Sequence, residues 1–264
     1  MLTKIVLSVL IGYLALCAVV FLTQRDLLYL PDTTRISPEG ASELGLLPWP
    51  SADRFLGFVG KAEPAHPQGT IVVFHGNAGA AHDRGFYVHA LAWHRFRVIV
   101  AEYPGYGGRE GAFSEATLIK DALATLRLAH QQYGGPIFLW GESLGCGVAA
   151  AAVKQTEVPI KGVVLFLPWD SLPEVAQTHY WYLPARWLVL DRYDSIENLR
   201  GFTGNVAVIL AGNDEVIPVR HGQRLYDALA TRKKLWLFEG ARHNEMPLAP
   251  NLRWWWEVTT FIAQ

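Results

Sequence analysis

Pro136-Ile137-Phe138-Leu139-Trp140-Gly141-Glu142-Ser143-Leu144-Gly145-Cys146-Gly147-Val148 is the stretch that decides the fold. An apolar run, Pro136 to Trp140, enters Gly141-Glu142-Ser143-Leu144-Gly145, and a small-residue run, Cys146 to Val153, leaves it, which reads as strand, tight turn, helix. A serine on such a turn is held in a strained conformation, tolerated only when the residues two before and two after it lack side chains. Gly141 and Gly145 supply that clearance. The hydroxyl is thereby presented as a nucleophile. The N–H of Leu144, at the helix start, lies where unpaired donors and the helix dipole favour a developing oxyanion. Gly-x-Ser-x-Gly also arises by chance in ordinary turns of Gly-rich chains, so its meaning depends on what surrounds it.

A serine hydroxyl becomes a useful nucleophile when a histidine takes its proton and a carboxylate orients that histidine. Downstream, Asn205 to Leu210 reads as a buried strand and runs into Ala211-Gly212-Asn213-Asp214-Glu215-Val216-Ile217-Pro218, which releases an acid at its carboxyl edge. Asp214 is the expected acid. The next strand-like run, Lys234 to Phe238, leads into Glu239-Gly240-Ala241-Arg242-His243-Asn244, and His243 is the expected base. Asp170, after the strand Gly162 to Leu167, competes with Asp214, which by itself also suits a turn or a helix N-cap.

A second oxyanion donor is expected from an earlier central strand, Ile71 to Phe74. It opens into His75-Gly76-Asn77-Ala78-Gly79, where the glycines admit a ligand close to the backbone and the N–H of Asn77 points at the same oxyanion as Leu144. His75 then has a supporting role. The loop lacks a following Gly-Lys-Ser/Thr and dinucleotide-type glycine spacing, which argues against a phosphate cradle. His82, His89 and His94 are separated by seven, five and twelve residues, which places no pair on one helix face at metal-ligand spacing. No cofactor and no metal site is expected.

With these segments in view, the chain resembles the α/β-hydrolases, in particular a membrane-anchored group related to protein depalmitoylases and serine aminopeptidase-like hydrolases. The resemblance covers about residues 53 to 263 and is carried by His75-Gly76-Asn77-Ala78-Gly79, Tyr103-Pro104-Gly105-Tyr106-Gly107, Gly141-Glu142-Ser143-Leu144-Gly145, Asp194-Ser195-Ile196, Gly212-Asn213-Asp214-Glu215-Val216-Ile217-Pro218 and Gly240-Ala241-Arg242-His243-Asn244. It implies a mostly parallel central sheet flanked by helices, with Ser143 as nucleophile, Asp214 and His243 as its partners, and Asn77 and Leu144 as oxyanion donors. The chain departs from the pattern at Gly108, where relatives often carry serine, and at Cys146, where a third glycine is common. Cys146 reads as a small packing residue under the nucleophile.

At 264 residues, with 51% hydrophobic and 18% charged residues, the chain can bury one large core, and alternating strand and helix patterns argue for a single α/β catalytic domain, residues 53–264. A net charge of −1 without basic clusters excludes nucleic acid as a partner. The two cysteines, Cys17 in an apolar run and Cys146 in the core, are not expected to pair. Ile5 to Leu22 carry no charge over eighteen positions, about the minimum for a bilayer-spanning helix, so residues 1–24 read as an anchor and 25–52 as a juxtamembrane connector. A cleaved signal peptide is the competing reading, because Ala15-Leu16-Cys17 has small residues near cleavage spacing, although the apolar run continues beyond it. The anchor is expected to contribute little to the catalytic core. Lys4 and the terminal amine balance Arg25 and Arg35 across it, and the resemblance implies a cytoplasmic N-terminus with the catalytic domain outside.

Residues 168–203 form an insertion dense in aromatics, expected to be a cap over the strand ends. Trp169, Trp181 and Trp187 are the candidates for lining an acyl pocket there. Of Trp254-Trp255-Trp256, at least one is expected to be partly exposed, since consecutive helical residues point to different sides. The expected activity is hydrolysis of an ester, thioester or amide in a small-molecule or acylated substrate through an acyl-enzyme, at a membrane. An aminopeptidase would instead need an acidic subsite for the substrate amine. The reading from another class is a catalytically idle fold used for binding.

Overall fold

The computed structural model describes residues 1–264. Eight strands, β1 (Leu46–Trp49), β2 (Gly57–Gly60), β3 (Thr70–Phe74), β4 (Arg97–Ala101), β5 (Ile137–Glu142), β6 (Ile160–Phe166), β7 (Asn205–Ala211) and β8 (Lys233–Phe238), form one sheet in the spatial order 1-2-4-3-5-6-7-8. Strands β3 to β8 run parallel, and β2 is antiparallel to both β1 and β4.

The helices are α1 (Leu2–Leu28), α2 (Pro38–Glu43), α3 (Gly85–Ala92), α4 (Glu115–Tyr133), α5 (Leu144–Gln155), α6 (Leu172–His179), α7 (Ala185–Leu188), α8 (Ser195–Leu199), α9 (Val219–Ala228) and α10 (Arg253–Ala263). Because side chains alternate along a strand, the central strands feed two cores. Val72, Phe74, Ile137 and Leu139 pack toward α4 and α5, while Ile71, Val73, Phe138 and Trp140 pack toward α3 and α10. Burial on both faces explains why these strands read as continuous apolar runs.

Helix α5 lies close to the sheet because its small residues allow it. A Cβ at Gly145 would run into the carbonyl oxygen of Phe74, and one at Gly147 would meet the ring of Tyr193. Helix α4 is capped by Ser114, whose Oγ accepts from the Thr117 N–H at 3.2 Å, and it buries Leu118, Ala122, Leu126 and Ala129. Trp254 and Trp255 are buried on α10 and Trp256 is exposed.

The structure differs from the sequence reading at the N-terminal side. The helix continues past residue 24 to Leu28, and the stretch read as connector contributes β1, with Leu46 and Trp49 buried, so the sheet begins before residue 53. A four-residue strand containing Pro48 is too short to show a period. Leu30 and Pro31 also pair in parallel with Ala78 and Gly79, tying the end of α1 to the loop after β3. Since β3 to β8 are parallel, the loops leaving β3, β5, β7 and β8 gather at one edge of the sheet, and they carry Asn77, Ser143, Asp214 and His243.

Candidate active site

Ser143 occupies the turn between β5 and α5 with φ 51° and ψ −114°, a left-handed conformation that costs a non-glycine residue of order 1–3 kcal/mol. The surroundings fix it. The Ser143 N–H donates to the Phe166 carbonyl at 2.8 Å and the Ser143 carbonyl accepts from the Cys146 N–H at 2.9 Å. Any side chain at Gly141 would strike the Cys146 backbone, so the two flanking glycines are needed for the approach of strand and helix. Glu142, next to the serine, turns away from it and accepts from Arg84 Nη2 and from the Tyr87 hydroxyl, both at 2.9 Å. Burial and that carboxylate hold the Tyr87 phenol well above its usual pKa, which keeps it a donor.

His243 comes from the loop after β8 and Asp214 from the loop after β7. His243 Nε2 stands 3.2 Å from Ser143 Oγ, and its Nδ1 stands 2.7 Å from Asp214 Oδ2. Asp214 Oδ1 accepts from the N–H groups of Val216 at 2.9 Å and Ile217 at 2.7 Å, which locks the carboxylate and leaves Oδ2 for the imidazole. An acceptor at Nδ1 places the proton there and leaves Nε2 free to accept from the hydroxyl. Asp170, the competing acid, faces elsewhere: it accepts from Ser171 N at 2.8 Å, lies 2.9 Å from His221 Nδ1 and is paired with Arg224 at 3.0 Å.

Asn77 and Leu144 border the same space as Ser143. Leu144 is the first residue of α5, where a helix leaves its N–H groups without intrahelical partners. The Asn77 carbonyl accepts from Leu30 N at 3.0 Å and from the Tyr106 hydroxyl at 2.8 Å, and its side-chain amide donates to the Leu28 carbonyl at 2.8 Å. These contacts hold Asn77 on both its carbonyl and its side chain, and its N–H has no acceptor in the chain. His75 is buried with Nδ1 2.8 Å from the Gly76 carbonyl and Nε2 3.1 Å from Glu102 Oε1, so both ring nitrogens serve the loop rather than the site.

Ser143 opens into a cavity of about 540 Å³, within the range of small-molecule sites. Its walls are mainly apolar. Trp169, Val175 and Leu183 line it from the insertion, and Phe21 and Leu28 from α1. Trp181 and Trp187 do not line it; they are 78% and 81% exposed and correct the expectation that both face an acyl chain. Density of aromatics predicted a cap, but not which way each ring points. The share of α1 in the wall was likewise not expected: Val20 and Phe21 cannot be told from lipid-facing residues in a uniformly apolar run. Gln24 and Arg25, polar groups at its end, are the only sequence signal of contact. The single carboxylate in the wall, Asp191, is neutralised by Arg25 through Nε at 3.0 Å and Nη2 at 3.2 Å, and it also accepts from Tyr29 at 3.0 Å. Cys146 is fully buried, and burial pushes its thiol well above the usual range. No group of three or more His, Cys, Asp or Glu side chains is arranged to hold a metal ion.

The strand order, the serine on the β5–α5 turn and the loops gathered at one sheet edge define an α/β-hydrolase, and the chain belongs to that superfamily. Residues 65–191 match the serine aminopeptidase S33 family. An uncharacterized protein of Mycobacterium tuberculosis is 38% identical over 181 residues, covering 67% of this chain and 64% of that protein. The lysophosphatidylserine lipase ABHD12 of Danio rerio is 33% identical over 195 residues, covering 66% of this chain and 50% of the lipase. The chain thus spans between half and two thirds of these relatives' length. Among solved structures, an esterase of Pyrococcus furiosus superposes with a TM-score of 0.64 at 15% identity, covering 89% of this chain and 97% of the esterase, a likeness of fold.

Proposed function

We propose that this chain is a membrane-anchored serine hydrolase that cleaves a carboxylic ester or thioester of an apolar, acyl-bearing substrate. The observation that carries the reading is the hydrogen-bonded chain from Asp214 through His243 to Ser143, with Ser143 in the wall of an apolar cavity. In this reading Ser143 Oγ attacks the acyl carbonyl carbon as His243 Nε2 takes its proton. The oxyanion is held by the N–H groups of Asn77 and Leu144. Collapse of the tetrahedral intermediate expels the alcohol or thiol, which receives the proton from His243. A water deprotonated by His243 then attacks the acyl-enzyme, and the acid leaves as Ser143 regains its proton.

The matched family name raises aminopeptidase activity as the other enzymatic reading. A free amine needs an unpaired acid in the site, and the candidates are committed: Asp191 to Arg25, Glu142 to Arg84 and Tyr87, Asp170 to His221 and Arg224. The apolar wall and the lipase activity for which the Danio rerio relative is named both favour an acyl ester, and a lipid is the substrate class that fits them. Helix α1 is long and apolar enough to cross a membrane, its most apolar eighteen-residue window having a mean hydropathy of 2.8. We place its N-terminus in the cytoplasm and the catalytic domain outside.

The test is fluorophosphonate labelling and turnover of the detergent-solubilised full chain on p-nitrophenyl acyl esters beside aminoacyl amides. Labelling and ester turnover lost together in Ser143→Ala are expected. Labelling that survives in Ser143→Ala removes the serine from the mechanism, and faster turnover of the amides transfers the assignment to an aminopeptidase.

A further inference from the structure

The turn of the insertion that carries Trp181 and Tyr182 meets helix α1 well inside its apolar run. Tyr13 on α1 donates its hydroxyl to the Tyr182 carbonyl at 3.1 Å. Tyr13 is at the centre of the uncharged run Ile5 to Leu22, about 18 Å along the helix axis from Arg25. A bilayer that encloses this run therefore also reaches the turn at Tyr182, whatever the tilt of the helix.

The chemistry of that edge suits a membrane. Trp181 is 78% exposed, Trp187 81% and Leu190 50%, and aromatic side chains with a polar tip favour the membrane–water interface. Backbone groups entering a low-dielectric layer need internal partners. Here several are supplied: Gln177 donates to the Leu183 carbonyl at 3.0 Å and accepts from Arg186 N at 3.1 Å. From the anchor, Gln24 donates to the Leu188 carbonyl at 3.2 Å and accepts from Leu190 N at 2.8 Å. The same Gln24 lies in the cavity wall, so the space in front of Ser143 is bounded jointly by anchor and cap on this side.

We propose that the cap tip, residues 180–190, is a second membrane-binding element that enters the leaflet on the catalytic-domain side of α1, and that the acyl chain reaches Ser143 sideways from that leaflet between the two. The second half rests on the hydrolase reading; the first does not. Trp181 and Trp187 then act on lipid contact, outside the cavity.

The test of insertion uses the full chain in phosphatidylcholine–phosphatidylglycerol vesicles, with Cys17→Ala and a spin label at Trp181→Cys or Trp187→Cys. Cys146 stays unlabelled because it is buried. Trp93→Cys, 81% exposed and beyond α3 near the opposite sheet edge, is the aqueous reference. Labels at 181 and 187 are expected to favour collisions with oxygen over a water-soluble nickel chelate at least tenfold relative to 93. Accessibility equal to that at 93 overturns insertion of the cap.

The second measurement compares Trp181→Glu/Trp187→Glu with the unmodified chain. On a long-chain monoacylglycerol embedded in vesicles, kcat/KM should fall at least tenfold, while soluble p-nitrophenyl butyrate turns over within twofold of the original rate. An equal loss on both substrates, or no loss on the embedded one, overturns sideways access. If the unmodified chain hydrolyses neither substrate, the hydrolase reading fails and takes sideways access with it, while the collision measurement still decides insertion.

Discussion

Asn77 and Leu28 are joined by a hydrogen bond of 2.8 Å, the Asn77 side-chain amide donating to the carbonyl of the last residue of α1. The residue proposed as an oxyanion donor is thus held by the end of α1. Replacing Asn77 by Ala keeps the backbone donor and removes only this support, so kcat should fall up to about tenfold, the value of one net hydrogen bond. KM for a short ester should change little. A loss of several hundredfold would mean that the side chain itself contacts the reacting oxygen; steady-state kinetics on p-nitrophenyl acetate separates the two.

Asp214→Asn and Asp170→Asn should behave oppositely. The first leaves His243 without its acceptor and should lower kcat about 10⁴-fold with little change in melting temperature. The second breaks a buried contact with His221 and Arg224 away from the site. It should destabilise the fold by about 3 kcal/mol while the remaining folded protein keeps most of its kcat. Thermal melts and kinetics on the same preparations check both, and a catalytic collapse in Asp170→Asn would exchange the two roles.

Chain-length preference should track the cavity wall. Each methylene removed from water contributes about 0.8 kcal/mol, close to fourfold in kcat/KM, until the cavity is full. Phe21→Ala or Leu183→Ala should shift the optimal acyl length in a p-nitrophenyl ester series, because both side chains line the space. An unchanged optimum in both variants would show that the acyl chain lies elsewhere.

Deleting residues 1–22 should leave acetate ester turnover largely intact and flatten the chain-length series, since Val20 and Phe21 leave the wall while Arg25 and Leu28 remain. This differs from the expectation that the anchor contributes little beyond attachment. Retention of the full-length chain's selectivity would restore that expectation.

Much of the site was readable in the sequence because its chemistry is local. Gly141 and Gly145 announce a turn that a larger residue would block, and Asp214 and His243 each follow a strand-like run, so the parallel order of β5, β7 and β8 brings them to one edge. What stayed hidden depends on contacts between distant segments. Arg25 meets Asp191 across 166 positions, and although Arg25 stands out as a charge at the end of an apolar run, nothing near it points to Asp191 as its partner. The outward direction of Trp181 and Trp187 is set by how α6 and α7 pack, which composition does not encode. The strand Leu46–Trp49 was missed because four residues with a proline carry too little pattern.

The Arg25–Asp191 pair also bears on how the protein is made. The helix carrying Arg25 leaves the ribosome first, whereas Asp191 is synthesised 166 residues later, so the cavity cannot be completed until most of the chain exists. If α1 is already inserted by then, the catalytic fold must close against a wall that is held in place. Completion of the cavity would then be coupled to membrane insertion, and a precursor stranded in water would carry Ser143 in an unfinished cavity.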